Sequence, residues 1–247
     1  MTSSLVGSEM CIRDSNFCLE RHGVAKGFSE YVYPPEQNVY HIADSLDLET
    51  AAFTEPLSCA IHGLDLIQIE SGNTVVMYGM GAIGSLMLQL IKYSGAGEII
   101  VVEREAEKRE LALELGATLA VTDQEIETLA QEQNIDYVVE CIGLKVTMEQ
   151  AIRIAGKNGK VLLFGLGDPE EPISFNQFAA YTKELSIFTS YLNPHTSERA
   201  VKLLESGLID TKKIISAELS LEEVGSELKA LEYSRKGKVM VYLSKEH

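Results

Sequence analysis

The sequence predicts an α/β protein built on a doubly wound parallel sheet. Two observations support this class. A glycine-rich turn lies between an apolar strand and an amphipathic helix, and short apolar strands then alternate with helices as far as residue 189. Such alternation is typical of parallel sheets that helices cover on both faces. We therefore expect one central sheet whose strands all run in the same direction.

The glycine-rich turn follows the apolar segment 74–78 and has the pattern Gly79-x-Gly81-x-x-Gly84. The first glycine of such a pattern allows a tight turn, the second lets backbone approach a pyrophosphate, and the third lets a helix pack closely on its strand. The helix that begins here would present unpaired N–H groups and the positive end of its dipole to a phosphate. The pattern therefore predicts a dinucleotide-binding turn.

An acidic residue ends the second predicted strand. Glu103 comes nineteen residues after Gly84 and directly after the apolar run 99–102. A carboxylate in this position is expected to accept a hydrogen bond from a ribose hydroxyl and to repel a 2′-phosphate, which favours NAD over NADP. Arg104 beside it is the residue type that accommodates that phosphate in other proteins. A methyltransferase, which can use a similar turn and acid for its own cofactor, is the alternative that the motif leaves open.

Composition argues against two classes of partner. The chain has 247 residues, of which 45% are hydrophobic and 23% are charged, as is ordinary for a globular protein with a core. The formal net charge of −16 repels phosphate backbones and anionic lipid surfaces, so we expect neither a nucleic-acid nor a membrane partner. Four cysteines without paired spacing indicate reduced thiols and favour a cytoplasmic location.

The other elements are predicted from periodicity and turn residues. Residues 16–35 have the pattern of short strands and turns, and residues 47–69 are expected to be mostly helical with an interruption near Pro56. A helix over 106–115 is predicted to end at Gly116. Further strands are expected at 119–121, 137–141, 160–164, 186–189 and 239–243, and further helices at 125–131, 146–155, 197–205 and 221–233.

Beyond the glycine turn, the chain resembles the medium-chain dehydrogenase/reductase family, in its zinc-dependent alcohol and polyol dehydrogenase branch. The resemblance extends from Asn16 to about Leu243. It is carried, in order, by residues 16–18, 27–32, 55–63, 79–84, 115–117, 140–143, 163–167, 193–194 and 198–200. A methyltransferase has no reason to carry the Glu55-Pro56-Leu57 segment before the glycine turn, so the resemblance favours a dehydrogenase.

The resemblance implies a particular domain arrangement. A Rossmann NAD-binding domain would comprise residues 56–197. A GroES-like, β-rich catalytic domain would be formed by residues 16–55 together with a C-terminal return over residues 198–247. Residues 1–15 resemble a translated sequencing-adapter peptide, and we interpret them as a non-native tail. Because family chains have a longer N-terminal part, we expect the GroES-like domain to be incomplete. Family members also suggest a homo-oligomer that forms through the Rossmann domain.

The family's chemistry implies NAD and zinc as cofactors and a small secondary alcohol, of polyol type, as substrate. The zinc ion polarises the substrate oxygen, and hydride passes to the nicotinamide ring. Glu55 resembles a direct or water-mediated ligand of the catalytic zinc, although an acidic residue is also favoured at a helix N-terminus. Cys18 resembles the last of four cysteines around a structural zinc. Its nearest expected partner position is Met10, so we interpret Cys18 as an unpaired thiol.

The resemblance also assigns residues around the cofactor. They are Gly79, Gly81, Ala82, Ile83, Gly84, Glu103, Lys108, Ile142, Gly143, Gly165, Leu166, Ser190 and Tyr191. For Lys108, which matches a contact to the adenosine ribose, a solvated helix charge is an equal alternative. Cys59 and Cys141 lie among apolar residues and are expected to be core thiols. His62 could line a substrate cleft or serve as a hydrogen-bonded structural histidine.

A second hypothesis is a cofactor-binding fragment without catalysis. Glu55 is the only catalytic zinc ligand that the family motif assigns to this sequence, and three are normally needed. We therefore expect the 247-residue chain to bind NAD but to hold no catalytic zinc. The identity of the alcohol also stays open, because Leu192 stands where sorbitol-type members tend to carry an arginine. Threonine, arabitol and phosphorylated polyols are the alternatives.

Overall fold

The structure is a computed structural model, and it describes residues 36–230 and 237–242. Its centre is a sheet of six strands: β1 (Thr74–Tyr78), β2 (Glu98–Val102), β3 (Leu119–Val121), β4 (Tyr137–Glu140), β5 (Lys160–Leu163) and β6 (Ser186–Thr189). All neighbouring strands pair in parallel, in the order β3-β2-β1-β4-β5-β6. This is the strand order of a doubly wound Rossmann sheet, so the predicted fold class is confirmed.

Helices cover both faces of this sheet. The helices of the described residues are α1 (Leu48–Ala51), α2 (Thr54–Ile67), α3 (Ala82–Tyr93), α4 (Ala106–Leu115), α5 (Asp123–Glu132), α6 (Lys145–Ile154), α7 (Gln177–Lys183), α8 (Ser197–Glu205) and α9 (Leu221–Ala230). Short 3₁₀ turns occur at Glu36–Asn38 and Lys212–Ile214. A separate pair of parallel strands, β7 (Ile215–Ser220) and β8 (Lys238–Tyr242), lies near the end of the chain. Within the described ranges, no helix has the length and apolar character that a membrane crossing requires.

The inner strands β1, β2, β4 and β5 are mostly apolar on both faces because helices bury each face. On one face, Val75 and Met77 of β1 pack with residues of α2, α3 and α4. On the other face, Val76 and Tyr78 pack with residues of α5 and α6. Burying one aliphatic side chain of this size stabilises the folded state by roughly 1.5–3 kcal/mol. These two clusters therefore fix the sheet and, with it, the loops at its carboxyl edge.

A third buried cluster joins the helices beyond the sheet. Phe53 and Leu57 pack there with Leu86 of α3, Leu204 of α8 and Met240 of β8. Helix α2 contributes residues to both the first and the third cluster. The division into domains at residues 55/56 and 197/198 remains a prediction. Half of the proposed GroES-like segment 16–55, residues 16–35 with Cys18, lies outside the described residues.

The segment before the sheet departs in detail from the expected pattern. The helical interruption lies at Ala52 and Phe53, between α1 and α2. Pro56 lies inside the first turn of α2, where it is buried. A proline is tolerated there because a first-turn N–H has no intrahelical acceptor to lose. Asp47 caps α1, with its side chain accepting a 2.7 Å hydrogen bond from the N–H of Thr50.

Candidate functional site

The glycine turn closes tightly at Gly79, directly after β1. Gly79 has a φ of +92°, a conformation that side chains other than glycine rarely adopt. Its N–H donates a 3.0 Å hydrogen bond to the carbonyl of Val102 at the end of β2. A Cβ atom at this position would lie 2.7 Å from Cγ1 of Ile142. Gly79 therefore brings three loops, those after β1, β2 and β4, into contact.

The other two glycines of the turn differ in how much space surrounds them: Gly84 is closely packed and Gly81 borders open space. A Cβ atom on Gly84 would lie 2.1 Å from the carbonyl oxygen of Gly79, so α3 packs directly against the turn. A Cβ atom on Gly81 would meet no atom within 4 Å. Gly81 is also the exposed N-cap of α3 and makes no side-chain cap. The first-turn N–H groups at Ala82 and Ile83 therefore border open space, and helix geometry leaves them without intrahelical acceptors.

Glu103 connects the glycine turn to the end of β2. Its carboxylate is buried, and Oε2 accepts a 3.0 Å hydrogen bond from the N–H of Met80, inside the turn. Oε1 accepts a 3.0 Å hydrogen bond from the N–H of Glu105. Each carboxylate oxygen has a second lone pair, so both can accept one further hydrogen bond. Glu103 is thus positioned for a ligand hydroxyl while it also holds the loop.

Basic side chains surround Glu103. Arg109 donates from Nη1 to the carbonyls of Glu103 at 2.9 Å and Arg104 at 2.8 Å, which fixes the turn after β2. Lys108 donates from Nζ to Oε1 of Glu105 at 3.0 Å. The Arg104 side chain is exposed at the same opening. Arg109 was missed in the sequence because its role depends on carbonyls in a turn, which no residue pattern marks.

A second buried carboxylate holds the loop after β4. Oε1 of Glu140 accepts 2.9 Å hydrogen bonds from the N–H groups of Ile142 and Gly143, and a 2.7 Å hydrogen bond from the hydroxyl of Thr147. Burial raises the pKa of Glu140, and these three donors oppose that rise. Gly143 has a φ of +87°. The sequence signal for this role is an acid at the end of an apolar strand; in the sequence analysis Glu140 enters only through the family resemblance of residues 140–143.

The loops after β5 and β6 continue the same edge of the sheet. A Cβ atom on Gly165 would lie 2.2 Å from the nitrogen of Gly143, so the loops after β4 and β5 are in direct backbone contact. Leu166 follows with 89% of its surface exposed. After β6, the Ser190 hydroxyl is buried and lacks a hydrogen-bond partner among the described residues, and Tyr191 is exposed.

Five of the thirteen predicted cofactor residues, Gly79, Gly81, Glu103, Lys108 and Ile142, line one cleft of about 360 Å³, and the other eight are not part of its lining. Its lining comprises Tyr78, Gly79, Met80, Gly81, Val102, Glu103, Arg104, Glu105, Lys108, Asp123, Cys141, Ile142, Leu144, Val146, Thr147 and Gln150. The cleft lies at the carboxyl ends of β1, β2 and β4, where the strand order reverses. In open α/β sheets, ligands bind in the crevice at such a switch point. The open space at Gly81, the α3 N-terminus and the Glu103 carboxylate fit a dinucleotide.

Glu55 lies apart from this cleft, exposed in the first turn of α2. Its Oε1 accepts a hydrogen bond from the Cys59 thiol at 3.3 Å. Burial, followed by the charge of Glu55, raises the pKa of Cys59, so this thiol stays protonated. In the part of the chain that the structure describes, no three His, Cys, Asp or Glu side chains are grouped to hold a metal ion. Among the described residues, Glu55 alone supplies too few ligands for a catalytic zinc, which normally has three from the protein.

The segment after β6, residues 190–196, is hydrogen-bonded to α2. Nδ2 of Asn193 donates to Oγ of Ser58 at 2.5 Å, and the hydroxyl of Thr196 donates to the carbonyl of Ser58 at 2.8 Å. Asn193 and Thr196 are buried, whereas His195 is exposed, with a φ of +59°. This connection links the loop after β6 to the helix that carries Glu55.

The strand order and the glycine turn define the chain as a doubly wound α/β protein of Rossmann type. The chain belongs to the zinc-binding dehydrogenase family, because a sequence profile of that family matches residues 82–206, just over half of its length. The resemblance to zinc-dependent alcohol and polyol dehydrogenases is thereby confirmed. The methyltransferase alternative is excluded.

Individual relatives agree with this membership. Sorbitol dehydrogenase of Bacillus subtilis (strain 168) is 30% identical over 223 residues, which cover 87% of this chain. D-arabinitol dehydrogenase 1 of Uromyces fabae is 29% identical over 220 residues, which cover 84% of this chain. The chain spans 63% of the length of each of these two relatives. A solved zinc-binding dehydrogenase from Sinorhizobium meliloti 1021 bound to NADP has a TM-score of 0.82 and 34% identity, with 88% of this chain and 66% of that chain covered.

Proposed function

We propose that this chain supplies the cofactor-binding part of an NAD-linked dehydrogenase that oxidises a secondary alcohol of polyol type. The observation that carries the proposal is the buried Glu103 carboxylate in the same cleft as the open Gly81 position and the N-terminus of α3. The sorbitol and D-arabinitol dehydrogenases among the relatives support the substrate class. Which polyol is oxidised stays open within this proposal.

The chain's own residues would bind and orient the cofactor. The N–H groups of the first α3 turn would donate to the pyrophosphate, and Gly81 would leave room for it. Glu103 would accept from the ribose hydroxyls of the adenosine half. Bound NAD supplies a nicotinamide ring that accepts hydride. The loops after β4, β5 and β6, with Gly143, Leu166 and Ser190, would hold the other half of the cofactor and limit its contact with water.

The zinc part of the proposal rests on family membership and on one residue. Glu55 is an exposed carboxylate. Within the described residues, its side chain accepts one hydrogen bond, from the Cys59 thiol. A catalytic zinc normally has three protein ligands. Glu55 is therefore proposed as a single contributor to such a site. A cofactor-binding chain without alcohol turnover remains the second candidate, because Glu55 is the only catalytic zinc ligand that the family motif assigns to this sequence.

We expect the purified chain to bind NADH at least roughly tenfold more tightly than NADPH. The 2′-phosphate of NADPH would meet the Glu103 carboxylate, and one unfavourable charge contact of about 1.4 kcal/mol corresponds to a factor of ten. Titrations followed by nicotinamide fluorescence would measure both affinities. The Glu103→Gln variant should narrow the difference, because a neutral amide does not repel phosphate.

Two facts favour the opposite result. The Sinorhizobium relative is bound to NADP, and the exposed Arg104 could accommodate a 2′-phosphate. Arg104→Ala serves as the matched variant, since it removes the cation that would favour a 2′-phosphate. It should weaken NADPH binding more than NADH binding. Equal or tighter binding of NADPH by the unaltered chain would contradict the assignment of NAD.

We also propose that two copies of the chain associate through β6. This strand is an edge of the sheet, so its outer backbone groups lack a neighbouring strand among the described residues. Ile187 of β6 and Phe178 and Tyr181 of α7, the helix before it, are exposed apolar side chains. The other edge strand, β3, has only three residues. Pairing of β6 with a second copy about a two-fold axis would cover this surface.

Light scattering should give a mass of about twice 27.2 kDa for the unaltered chain. The double variant Tyr181→Lys with Ile187→Lys should give a monomer, because charges on an edge oppose strand pairing. Leu113→Lys is the control, since Leu113 is also an exposed apolar residue but lies on α4, towards the other edge of the sheet. A monomeric unaltered chain, or a double variant that stays dimeric, would reject the proposed interface.

We propose a cytoplasmic location for this protein. Cys59 and Cys141 are free thiols in the structure, and burial raises the pKa of both, which keeps them protonated and unreactive. Reduced thiols are typical of the cytosol. Cell fractionation with an antibody to the chain measures the location directly, and recovery from an extracytoplasmic fraction would contradict it.

A further inference from the structure

Tyr78, the last residue of β1, carries a buried polar atom that nothing so far explains. Only 1% of the residue is exposed, yet its hydroxyl has no hydrogen-bond partner among the described residues. Leaving such a group unpaired costs about 1–3 kcal/mol. Tyr78 also lines the cleft at the switch point. An unpaired buried hydroxyl at a binding cleft indicates a partner that arrives with the ligand.

The polar groups around Tyr78 are already engaged with other donors. In the sheet register, Tyr78 lies between Val102 of β2 and Glu140 of β4, on the face that α5 and α6 cover. Glu140 accepts from two backbone N–H groups and Thr147, as described above. Oε1 of Glu127 on α5 accepts from Nε2 of Gln150 at 2.7 Å and pairs with Arg153. None of these contacts includes the Tyr78 hydroxyl.

The hydroxyl remains neutral at physiological pH. Burial is the main cause that raises the pKa of Tyr78, and the charges of Glu127, Glu140 and Asp123 raise it further, while Arg153 lowers it. A neutral phenol hydroxyl can donate one hydrogen bond and accept others. It can therefore pair with either a ring nitrogen or an exocyclic amine of a heterocyclic base.

The walls of the cleft suggest which part of a dinucleotide reaches Tyr78. Glu103 is positioned for a ribose, and the side chains of Ile142, Leu144 and Val146 line the cleft and are exposed to it. Exposed apolar side chains that line a cleft favour a flat ring, which would cover them from water. The base attached to the ribose at Glu103 is the ring that meets this description. Among the described residues that line this cleft, Tyr78 is the one tyrosine, so it is the phenol hydroxyl that such a ring could meet.

We propose that the Tyr78 hydroxyl hydrogen-bonds the polar edge of the adenine ring and makes the site selective for that base. This inference rests on the proposed function, because it assumes that a dinucleotide occupies the cleft. Tyr78 then acts as a specificity-determining residue for the cofactor, in addition to its packing in the core beneath the cleft. The bond also explains why a polar aromatic residue stands at the end of an otherwise apolar strand.

Binding of two cofactors to Tyr78→Phe tests the proposal. The ligands are NADH and its hypoxanthine analogue, in which the amine of adenine is replaced by a carbonyl oxygen and N1 carries a proton. The unaltered chain should prefer NADH, and equal or tighter binding of the hypoxanthine analogue would contradict selectivity for adenine. The phenylalanine variant should bind NADH roughly five- to tenfold more weakly, the equivalent of one neutral hydrogen bond, and should lose most of the preference between the two bases. The ring and its packing are kept, so folding is not at risk.

Tyr137→Phe provides the matched control. Tyr137 is equally buried, on β4, but its hydroxyl donates to the carbonyl of Gln68 at 3.0 Å and accepts from the N–H of Glu70, away from the cleft. This variant should lower the Tm and leave both affinities unchanged. Unaltered NADH affinity and base preference in Tyr78→Phe would overturn the inference alone. Failure of the unaltered chain to bind either dinucleotide would overturn the proposed function and the inference together.

Discussion

Gly81→Val is expected to abolish measurable NADH binding while the fold stays intact. Gly81 has a φ of −76°, which any residue adopts, and a Cβ atom there meets no protein atom within 4 Å. The added side chain therefore fits the protein but fills the space in front of the α3 N-terminus. Losing two or more hydrogen bonds to a charged phosphate, each worth about 1.5–3 kcal/mol, weakens binding by roughly a hundredfold or more.

The measurement combines a fluorescence titration with NADH and thermal unfolding followed by far-UV circular dichroism. Valine is a poorer N-cap than glycine, so we expect a stability loss of about 1 kcal/mol at most. Gly81→Ala should give a smaller loss of affinity, since its methyl group extends less far. If Gly81→Val bound NADH as well as the unaltered chain does, the glycine turn would have only a structural role.

Gly84→Ala should act in the opposite way and destabilise the whole fold. Its Cβ atom would lie 2.1 Å from the carbonyl oxygen of Gly79, and that backbone atom cannot rotate away as a side chain could. Helix α3 would have to shift from the turn, and with it Leu86, Met87 and Leu88, which are fully buried. Overpacking of this kind costs about 1–3 kcal/mol and occasionally more. Urea unfolding would measure the loss.

Gly225→Ala is the control for this second variant. Gly225 lies in α9, and a Cβ atom there meets nothing within 4 Å, so the same chemical change adds no clash. Inside a helix, the change from glycine to alanine stabilises by about 0.5–1 kcal/mol. A Gly84→Ala variant as stable as the unaltered chain would show that α3 packs on the turn more loosely than the structure indicates.

The four inner strands of the sheet, β1, β2, β4 and β5, were predictable because they are buried on both faces. Such strands appear in the sequence as continuous apolar runs, and β1 has the predicted bounds while β2, β4 and β5 lie within one residue of theirs. Helix α7 was not predicted, since none of its residues is buried and so no apolar periodicity marks it. Strand β7 was missed for a related reason, because none of its six residues is fully buried.

Within the candidate site, the sequence identified residues that a local pattern marks, but not those whose role depends on tertiary contacts. Gly79, Gly81 and Glu103 were identified because each stands next to an element boundary in a recognisable order. The roles of Tyr78 and Glu140 were not identified, because each is simply the last residue of an apolar strand and belongs to no motif that marks its role. Whether their polar atoms find partners depends on α5, α6 and the loop after β4, which no short sequence window contains. The interpretation of Cys18 as an unpaired thiol remains a prediction, because this residue lies outside the described residues.

The two buried carboxylates have an entropic consequence for any ligand of the cleft. Glu103 holds the loop after β1, and Glu140 holds the loop after β4, so both sides of the opening are ordered by internal hydrogen bonds. A preorganised site does not have to restrict its own backbone when the ligand arrives, and about 1–2 kcal/mol is saved for each residue that is already fixed. Association would then be limited by encounter and desolvation, and not by the folding of the loops around the bound molecule.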